Sequence, residues 1–280
     1  MASLRFGPPP PSDFEVEPTA EEVARFREDG FLVVERLTTD EELAWLRELL
    51  EFVFSPGEAE RFGAPVDRSG TRADGEPVLL SQAFFPELRF PELHGTTLRR
   101  NSRRYAAALL GVDEAELSTW GHAIRKPPGG RAALWHQDHA YWDPELEYLA
   151  LGVWTPMHDV TVEMGAMQFI PGSHRRGLLP HRHADRPEHN VLTVVEQPDP
   201  ATAVACPLPA GGATFHHFRT LHHTAVNTTD RVRLAYPVEY QVAPRLKATP
   251  DVMPWVDERR AATGAPVKLD YLADGELVEL

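Results

Sequence analysis

The chain has 280 residues, 42% of them hydrophobic, and a formal charge of −14 at pH 7. That length supports one large core, while the acidic balance excludes a phosphate-tracking surface, which needs clustered Lys and Arg to displace counterions. A single cysteine, Cys206, excludes an internal disulfide and a thiolate-rich metal site, so metal chemistry would rest on carboxylates and the thirteen histidines.

No stretch approaches the roughly 18 apolar residues of a membrane span, and the N-terminus lacks the basic-then-apolar layout of a secretion signal. The expectation is a soluble, cytoplasmic protein that acts on a small molecule and binds neither nucleic acid nor membrane. Residues 1–15 contain Gly7-Pro8-Pro9-Pro10-Pro11-Ser12, which cannot join a helix or ladder because proline lacks the donor and fixes φ. A flexible N-terminal arm is expected there, followed by a single domain over 16–280. Thr19-Ala20-Glu21-Glu22 has capping-box spacing, Val23 and Phe26 follow at helical spacing, and Gly30 closes the helix. Phe31-Leu32-Val33-Val34 reads as a buried strand. Thr39-Asp40-Glu41-Glu42 is a second capping box ahead of Leu43, Leu46, Leu49, Leu50 and Val53.

Residues 56–80 are rich in Gly, Pro and Asp and lack a period. Leu98 to Leu110 makes a further helix, whose Arg99, Arg100, Arg103 and Arg104 read as a solvated basic face or as a contact for an anionic substrate. From residue 118 onward, short Val, Ile, Trp, Phe and Tyr runs alternate with Gly, Pro and Asn clusters, the pattern of an antiparallel barrel or jelly roll. No internal repeat interrupts it.

In Trp135-His136-Gln137-Asp138 the period of a strand points His136 and Asp138 to one face, where imidazole and carboxylate can bind one cation. His183-Ala184-Asp185 has the same spacing. It lies among Arg182, Arg186 and Pro187 in a polar segment, whereas the first triplet sits amid Trp135, Tyr141 and Trp142, which can wall a pocket. A facial triad needs one more histidine from a distant strand and leaves its other positions open. His216, His217, His222 and His223 are the candidates, and periodicity does not choose among them.

Three motifs occur in order: Lys126-Pro127-Pro128-Gly129 ahead of Trp135-His136-Gln137-Asp138 and Tyr141-Trp142; Glu163 through Pro171-Gly172-Ser173-His174-Arg175; and Phe215-His216-His217 through Leu221-His222 and Asn227 to Arg231-Val232-Arg233. On these motifs the chain, from Glu21 to Tyr240, resembles the phytanoyl-CoA dioxygenase family of Fe(II)/2-oxoglutarate oxygenases. The resemblance implies a mainly β fold, a double-stranded β-helix (cupin-like jelly roll) with flanking helices. It implies Fe(II) held by His136, Asp138 and His222, with 2-oxoglutarate as co-substrate and O2 as oxidant. Arg233 would pair with the far carboxylate of 2-oxoglutarate, with Arg231 as the alternative, since an arginine fork gives bidentate, charge-assisted bonds. Thr224, Gln137 and Trp154 match positions lining the same pocket. His174 is read as a loop anchor, Arg175 to Pro198 as a lid or substrate loop, and His139 and Tyr141 as the substrate mouth, with Trp142 as an apolar wall.

The activity implied is hydroxylation of a C–H bond in a small organic molecule, with release of succinate and CO2. Desaturation, cyclisation and epimerisation are the alternatives on the same iron centre. A zinc hydrolase could use the same ligands but would leave Arg233 without a role. A related halogenase would need a small residue in place of Asp138, and a metal-free binding protein would be expected to lose a ligand. His223 stands where the family usually has glycine, and the chain after Asn227 is less basic than usual, so substrate identity does not transfer.

Overall fold

A computed structural model describes residues 6–55, 66–67 and 79–264. Residues 1–5 of the expected arm, most of the aperiodic stretch 56–80 and residues 265–280 lie outside the described residues. Helix α1 (Ala20–Asp29) starts from the predicted box: Glu22 N donates to the Thr19 hydroxyl at 3.2 Å, and Thr19 N donates to Glu22 Oε2 at 2.7 Å. Gly30, at φ 81°, turns the chain into strand β1 (Phe31–Val34).

Helix α2 (Asp40–Val53) buries the predicted leucine face. Its box forms only by half. Glu42 N donates to the Thr39 hydroxyl at 3.2 Å, but the Glu42 carboxylate turns inward. There it accepts from Thr97 N at 2.6 Å and Leu98 N at 2.8 Å, two of the otherwise unpaired donors that open helix α3 (Thr97–Leu110), and from the Thr38 hydroxyl at 2.6 Å.

The later strands are β2 (Val66–Asp67), β3 (Ser81–Phe84), β4 (Leu117–Lys126), β5 (Ala133–His136), β6 (Leu146–Glu147), β7 (Ala150–Pro156) and β8 (Met167–Phe169). Then come β9 (His181–His183), β10 (Leu192–Val194), β11 (Val204–Cys206), β12 (Ala213–His217), β13 (His222–Thr224), β14 (Arg233–Val242) and β15 (Arg245–Leu246), followed by helix α4 (Pro254–Thr263). A seven-stranded sheet in the order β1-β12-β7-β14-β4-β3-β2 packs on a four-stranded sheet in the order β11-β8-β13-β5. Strand alternation divides the large sheet between two cores. Leu151, Val153, Val238 and Tyr240 join the helices on its outer face, while Phe31, Trp154 and Ala235 meet Met167, Phe169 and Cys206 of the smaller sheet on its inner face. Phe31 stacks on Phe169 with centroids 4.7 Å apart. The fold is the double-stranded β-helix that the family resemblance implies, and it agrees with the jelly-roll pattern of the strands.

One expectation is corrected, and the expected arm over 1–15 gains detail at its described residues. Residues 6–15 form no helix or strand, yet they are tied down: Phe6 is buried against Phe52 and Phe90, and the Ser12 carbonyl accepts from Arg100 at 2.9 Å. Proline forbids a ladder there but not packing. The arginines of α3 are not a solvated face. Arg99 is buried between the Tyr236 hydroxyl, at 2.7 Å from Nη2, and Glu87, at 3.1 Å; Arg103 donates to the carbonyls of Glu114 and Leu117; Arg104 faces Glu15 and Glu17.

Glu42→Ala strands two buried amide donors at the start of α3. Chemical denaturation should show a loss of roughly 2–4 kcal/mol, because each hydrogen bond to a charged group contributes more than a neutral one. A loss within about 0.5 kcal/mol, the range of ordinary surface changes, would rule out this carboxylate as the pin between the two helices.

Candidate active site

Strands β5 and β13 pair antiparallel with His136 opposite His222, and their rings lie 4.3 Å apart. Asp138 is not on the strand. The ladder ends at His136, and Asp138 opens a 3-10 turn that swings its carboxylate back to the histidines. Asp138 Oδ1 lies 3.6 Å from His222 Nε2 and 3.7 Å from His136 Nε2, and the three residues offer donor atoms within 4.8 Å of one another. Among the described residues this is the group of three or more such side chains that could hold a metal ion.

The outer nitrogens are anchored. His136 Nδ1 donates to the Leu134 carbonyl at 2.6 Å and His222 Nδ1 to the Thr220 carbonyl at 2.9 Å, which leaves both Nε2 lone pairs facing the carboxylate. His216 Nε2, from the opposite sheet, lies 3.1 Å from Asp138 Oδ2 and turns the second carboxylate oxygen away from the ligand cluster. Burial works to raise the Asp138 carboxyl, but His222, His216 and His136 outweigh it and hold the group well below the usual carboxylate range. Burial pushes His222 well below its ordinary value, against the pull of Asp138. A neutral His222 beside an ionised Asp138 is the pair of protonation states that a divalent ion requires.

Further along the barrel stand two buried basic side chains. Arg233 is 1% exposed; its Nη1 donates to the Gly165 carbonyl at 2.7 Å, its Nε has no partner, and its guanidinium carbon lies 5.2 Å from the Trp154 ring centre. Its register partner Lys126 is 0% exposed and donates to the Thr224 hydroxyl at 2.8 Å and the Ala225 carbonyl at 2.7 Å. Among the described residues no carboxylate pairs with either. Burial pushes Arg233 down to about 9, and burial followed by the charge of Arg233 pushes Lys126 down to about 5. Thr224 is two residues along β13 from His222, so these basic side chains open toward the ligand cluster. Arg231, the alternative, is exposed, with Nη2 3.6 Å from Met164 Sδ.

Several predicted residues go elsewhere. Gln137 faces away from the pocket: its amide donates to the Gly177 carbonyl at 2.9 Å and the Arg219 carbonyl at 2.6 Å and accepts from Leu179 N at 2.8 Å, so it clamps two loops. His139 is buried among Trp142, Tyr148 and Phe218, accepts from Arg219 Nε at 3.1 Å and lies 3.2 Å from Asp251, so it does not line a substrate mouth. The turn at Asp138 carries it inward. Tyr141 sets its ring edge against His136, with centroids 5.8 Å apart, and its hydroxyl accepts from Leu192 N at 3.1 Å. The second His-x-Asp triplet falls apart, with His183 bonded to the Trp255 carbonyl and Asp185 to His189. His223 packs on Trp135 and His217 on Phe218, while His174 reaches the Arg27 carbonyl as a loop anchor. The segment 175–198 contains the β9–β10 hairpin, fixed against α4 through Leu192 and Trp255. Lys126 and the role of His216 escaped the sequence reading. The available signal was a lysine that ends a strand directly ahead of the Pro127-Pro128-Gly129 turn of the first motif.

The family model described as phytanoyl-CoA dioxygenase (PhyH) matches residues 26–235. EvdO2 from Micromonospora carbonacea var. aurantiaca, solved with 2-oxoglutarate, is 35% identical, covers 86% of this chain and 99% of its own, and superposes with a TM-score of 0.75. The non-heme alpha-ketoglutarate-dependent carbocyclase SnoK from nogalamycin biosynthesis is 27% identical, covers 84% of this chain and 89% of its own, and has a TM-score of 0.64. A probable alpha-ketoglutarate-dependent hypophosphite dioxygenase of Stutzerimonas stutzeri is 34% identical over 107 residues, a stretch covering 36% of this chain and only 37% of that protein's length.

His216→Leu removes the donor to Asp138 Oδ2 without touching a ligand atom. Titration with Mn(II) should show affinity about 10- to 100-fold weaker, as expected when the partner that orients a ligand is lost. Asp138→Ala should bind more weakly still, and an unchanged affinity in His216→Leu would remove His216 from the site.

Proposed function

Because this chain belongs to the phytanoyl-CoA dioxygenase (PhyH) family, we propose that it is an Fe(II)- and 2-oxoglutarate-dependent oxygenase that hydroxylates a C–H bond of a small organic molecule. One observation carries the reading beyond family membership. The barrel interior holds a buried guanidinium with an unpartnered Nε beside a buried lysine, on the side of His222 marked by Thr224. A buried guanidinium, and beside it a buried amine whose charged form burial disfavours, stand without an acid among the described residues, and a dianion would complete the first and restore the charge of the second. A dicarboxylate does so, and a hydrolase would have no use for it.

His136, Asp138 and His222 would hold Fe(II): two imidazoles and one carboxylate form the donor set suited to it, with positions left open. When bound, iron with 2-oxoglutarate and O2 supplies the oxidation, converting the co-substrate to succinate and CO2 while one oxygen atom enters the substrate. The protein's own groups position and exclude. Arg233 pairs with the far carboxylate, Lys126 and Thr224 support it, and Trp154 closes the space beside the guanidinium. Asp138 stays ionised because His222, His216 and His136 together outweigh its burial, with His216 on its outer oxygen. The Phe31, Phe169 and Met167 cluster keeps water from the inner face. The likeness to a carbocyclase makes ring formation the second outcome, decided by which substrate carbon lies next to the metal.

No helix of the described residues is long and apolar enough to cross a membrane. The partner the site calls for is a small molecule.

With Fe(II), ascorbate and 2-oxoglutarate the protein should release succinate, and Asp138→Ala should release none above background. Turnover with zinc in place of iron, or without 2-oxoglutarate, would return the zinc hydrolase to first place. Arg233→Ala should weaken 2-oxoglutarate binding by roughly 2–5 kcal/mol, the cost of leaving one side of a desolvated pair alone. Mn(II) affinity should not follow, because the ligand set is untouched; equal losses in both would mark a folding defect instead.

Free Lys126 sits at about 5, and a bound dianion raises it again, so the complex holds more protons than the free protein above that pH. Affinity for 2-oxoglutarate should therefore fall as pH rises from 5 toward 9. Calorimetry at pH 7 in buffers of different ionisation heat should detect uptake of close to one proton, absent in Lys126→Met. Zero uptake by the unmutated protein would take Lys126 out of the co-substrate site.

A further inference from the structure

Four strands of the large sheet carry a row of side chains on the metal-facing side. Across β12, β7, β14 and β4 stand His216, Gly152, Glu239 and Trp120, each in register with the next. Residues directly opposite across antiparallel strands project to the same face. His216 identifies that face, because its Nε2 reaches Asp138. Gly152 keeps the row open: a Cβ there would lie 2.6 Å from His216 Nε2 and 3.2 Å from Glu239 Oε1. Any other residue at 152 would push between the two.

Among the described residues, nothing is hydrogen-bonded to Glu239 Oε2. The residue is 8% exposed, and that oxygen is buried. Burial, then the nearby charge of Asp138, pushes its carboxyl well above the ordinary range, and no cation counts among the groups acting on it. A carboxyl group accepts a hydrogen bond from a hydroxyl in either state, and its protonated form also donates one. Buried polar atoms of this kind are ordinarily satisfied, so an orphan facing a reaction centre points to a ligand group that completes it.

Trp120, beside Glu239, begins an aromatic wall. Its ring stacks on His122 at 5.5 Å and lies 5.4 Å from Phe85 and 6.3 Å from Phe84, and all four are half-buried. Phe85 holds φ at 55°, in the left-handed region that bulky side chains rarely adopt, with its N–H donating to the Gly121 carbonyl at 2.9 Å. Strained backbone of this kind concentrates at ligand sites, where it aims a side chain.

We propose that Glu239 and the Trp120 wall form the substrate subsite and take a neutral hydroxylated ring compound, one hydroxyl bonding to Glu239 and a C–H face lying on Trp120. The assignment rests on the oxygenase reading and replaces His139 and Tyr141 as substrate contacts. A carboxylate ligand would have to leave water and bring a further negative charge beside Asp138 in a low-dielectric space. A purely apolar ligand would leave Oε2 buried and unpaired. An ammonium ligand would have to leave water for a low-dielectric space, a cost that a neutral hydroxyl avoids.

The test is calorimetry on the full chain loaded with Mn(II) and 2-oxoglutarate, which binds without turnover. Three probes share one ring: methyl glucopyranoside, its 2-amino-2-deoxy ammonium relative and methyl glucuronide. The neutral glucoside should bind at least about tenfold tighter than either charged probe, the factor one well-made hydrogen bond supplies. Glu239→Gln keeps a donor and an acceptor and should stay within roughly threefold, whereas Glu239→Leu should lose about tenfold or more. Trp120→Ala should lose about fivefold, as expected for a lost ring contact. Should Glu239→Leu not fold, Glu239→Asp withdraws the carboxyl by one methylene and should lose a similar factor. Preference for the ammonium probe, no binding of any probe, or unchanged glucoside affinity in both Glu239→Leu and Trp120→Ala overturns the proposal. The 2-oxoglutarate titration that precedes each run separates the two claims. If 2-oxoglutarate fails to bind while the glucoside binds, the oxygenase reading falls and the subsite stands; the converse removes the subsite alone.

Discussion

A carboxylate taken out of water into a barrel core needs hydrogen-bonding or positive partners on several sides. Asp138 meets three imidazoles there, two through one oxygen at 3.6 and 3.7 Å and the third through the other at 3.1 Å. The rest of the site depends on that arrangement. His136 and His222 face one another only while β5 and β13 keep their register, and His216 reaches Asp138 only while the seven-stranded sheet closes over the smaller one. A slip of one residue would turn every side chain of a strand to the opposite face. The carboxylate thereby ties the closure of the fold to the assembly of a metal site.

Charge is laid out along the barrel in the same economical manner. Strand β14 carries Arg233 at one end and Glu239 six residues later, on the same face. At the rise of an extended strand the two lie about 20 Å apart. The basic side chains thus occupy one end of the interior and the acids the other, which suits a dianionic co-substrate and a neutral substrate approaching one metal from different sides. Glycine makes two of these approaches feasible. Gly152 leaves room between His216 and Glu239, and Gly165, at φ 80°, brings its carbonyl to Arg233 where a Cβ would strike the Ala225 carbonyl at 2.4 Å.

On the outer face, helices hold the large sheet by buried polar pins as well as by apolar contact. Glu42 joins α2 to the start of α3, and Arg99 joins α3 to Tyr236 of β14 and to Glu87, which also accepts from Gly121 N at 2.6 Å. Such buried pairs add little net stability compared with well-packed apolar groups but penalise misplacement heavily. They set the angle and register of β4 and β14, the two strands that carry Lys126, Arg233, Trp120 and Glu239.

Local chemistry was legible in the residues themselves. The capping box at Thr19, the leucine period of α2, the Val33-Val34 strand, the alternating runs after residue 118 and the His136-Asp138 spacing each follow from interactions within a few positions along the chain. The ordered motifs added Arg233 and His222. Burial and partner choice were not legible, because they depend on which strand arrives alongside. Arg231 and Arg233 share a strand spacing, yet only Arg233 falls inside the barrel; the turn that begins at Asp138 sends His139 into a separate core; and Gln137, between two pocket residues, spends its amide on distant loops. Lys126 and Glu239 gained meaning only when β4, β14 and β7 lay side by side and left each buried with no group of opposite charge among the described residues paired to it. The sequence by itself determined the elements, the fold class and the set of donor atoms, since those depend on short-range periodicity and residue type. The tertiary structure decided which donors converge and which charges stay uncompensated, because the cost of a buried charge depends on neighbours that are remote in the chain and adjacent only after the sheets close.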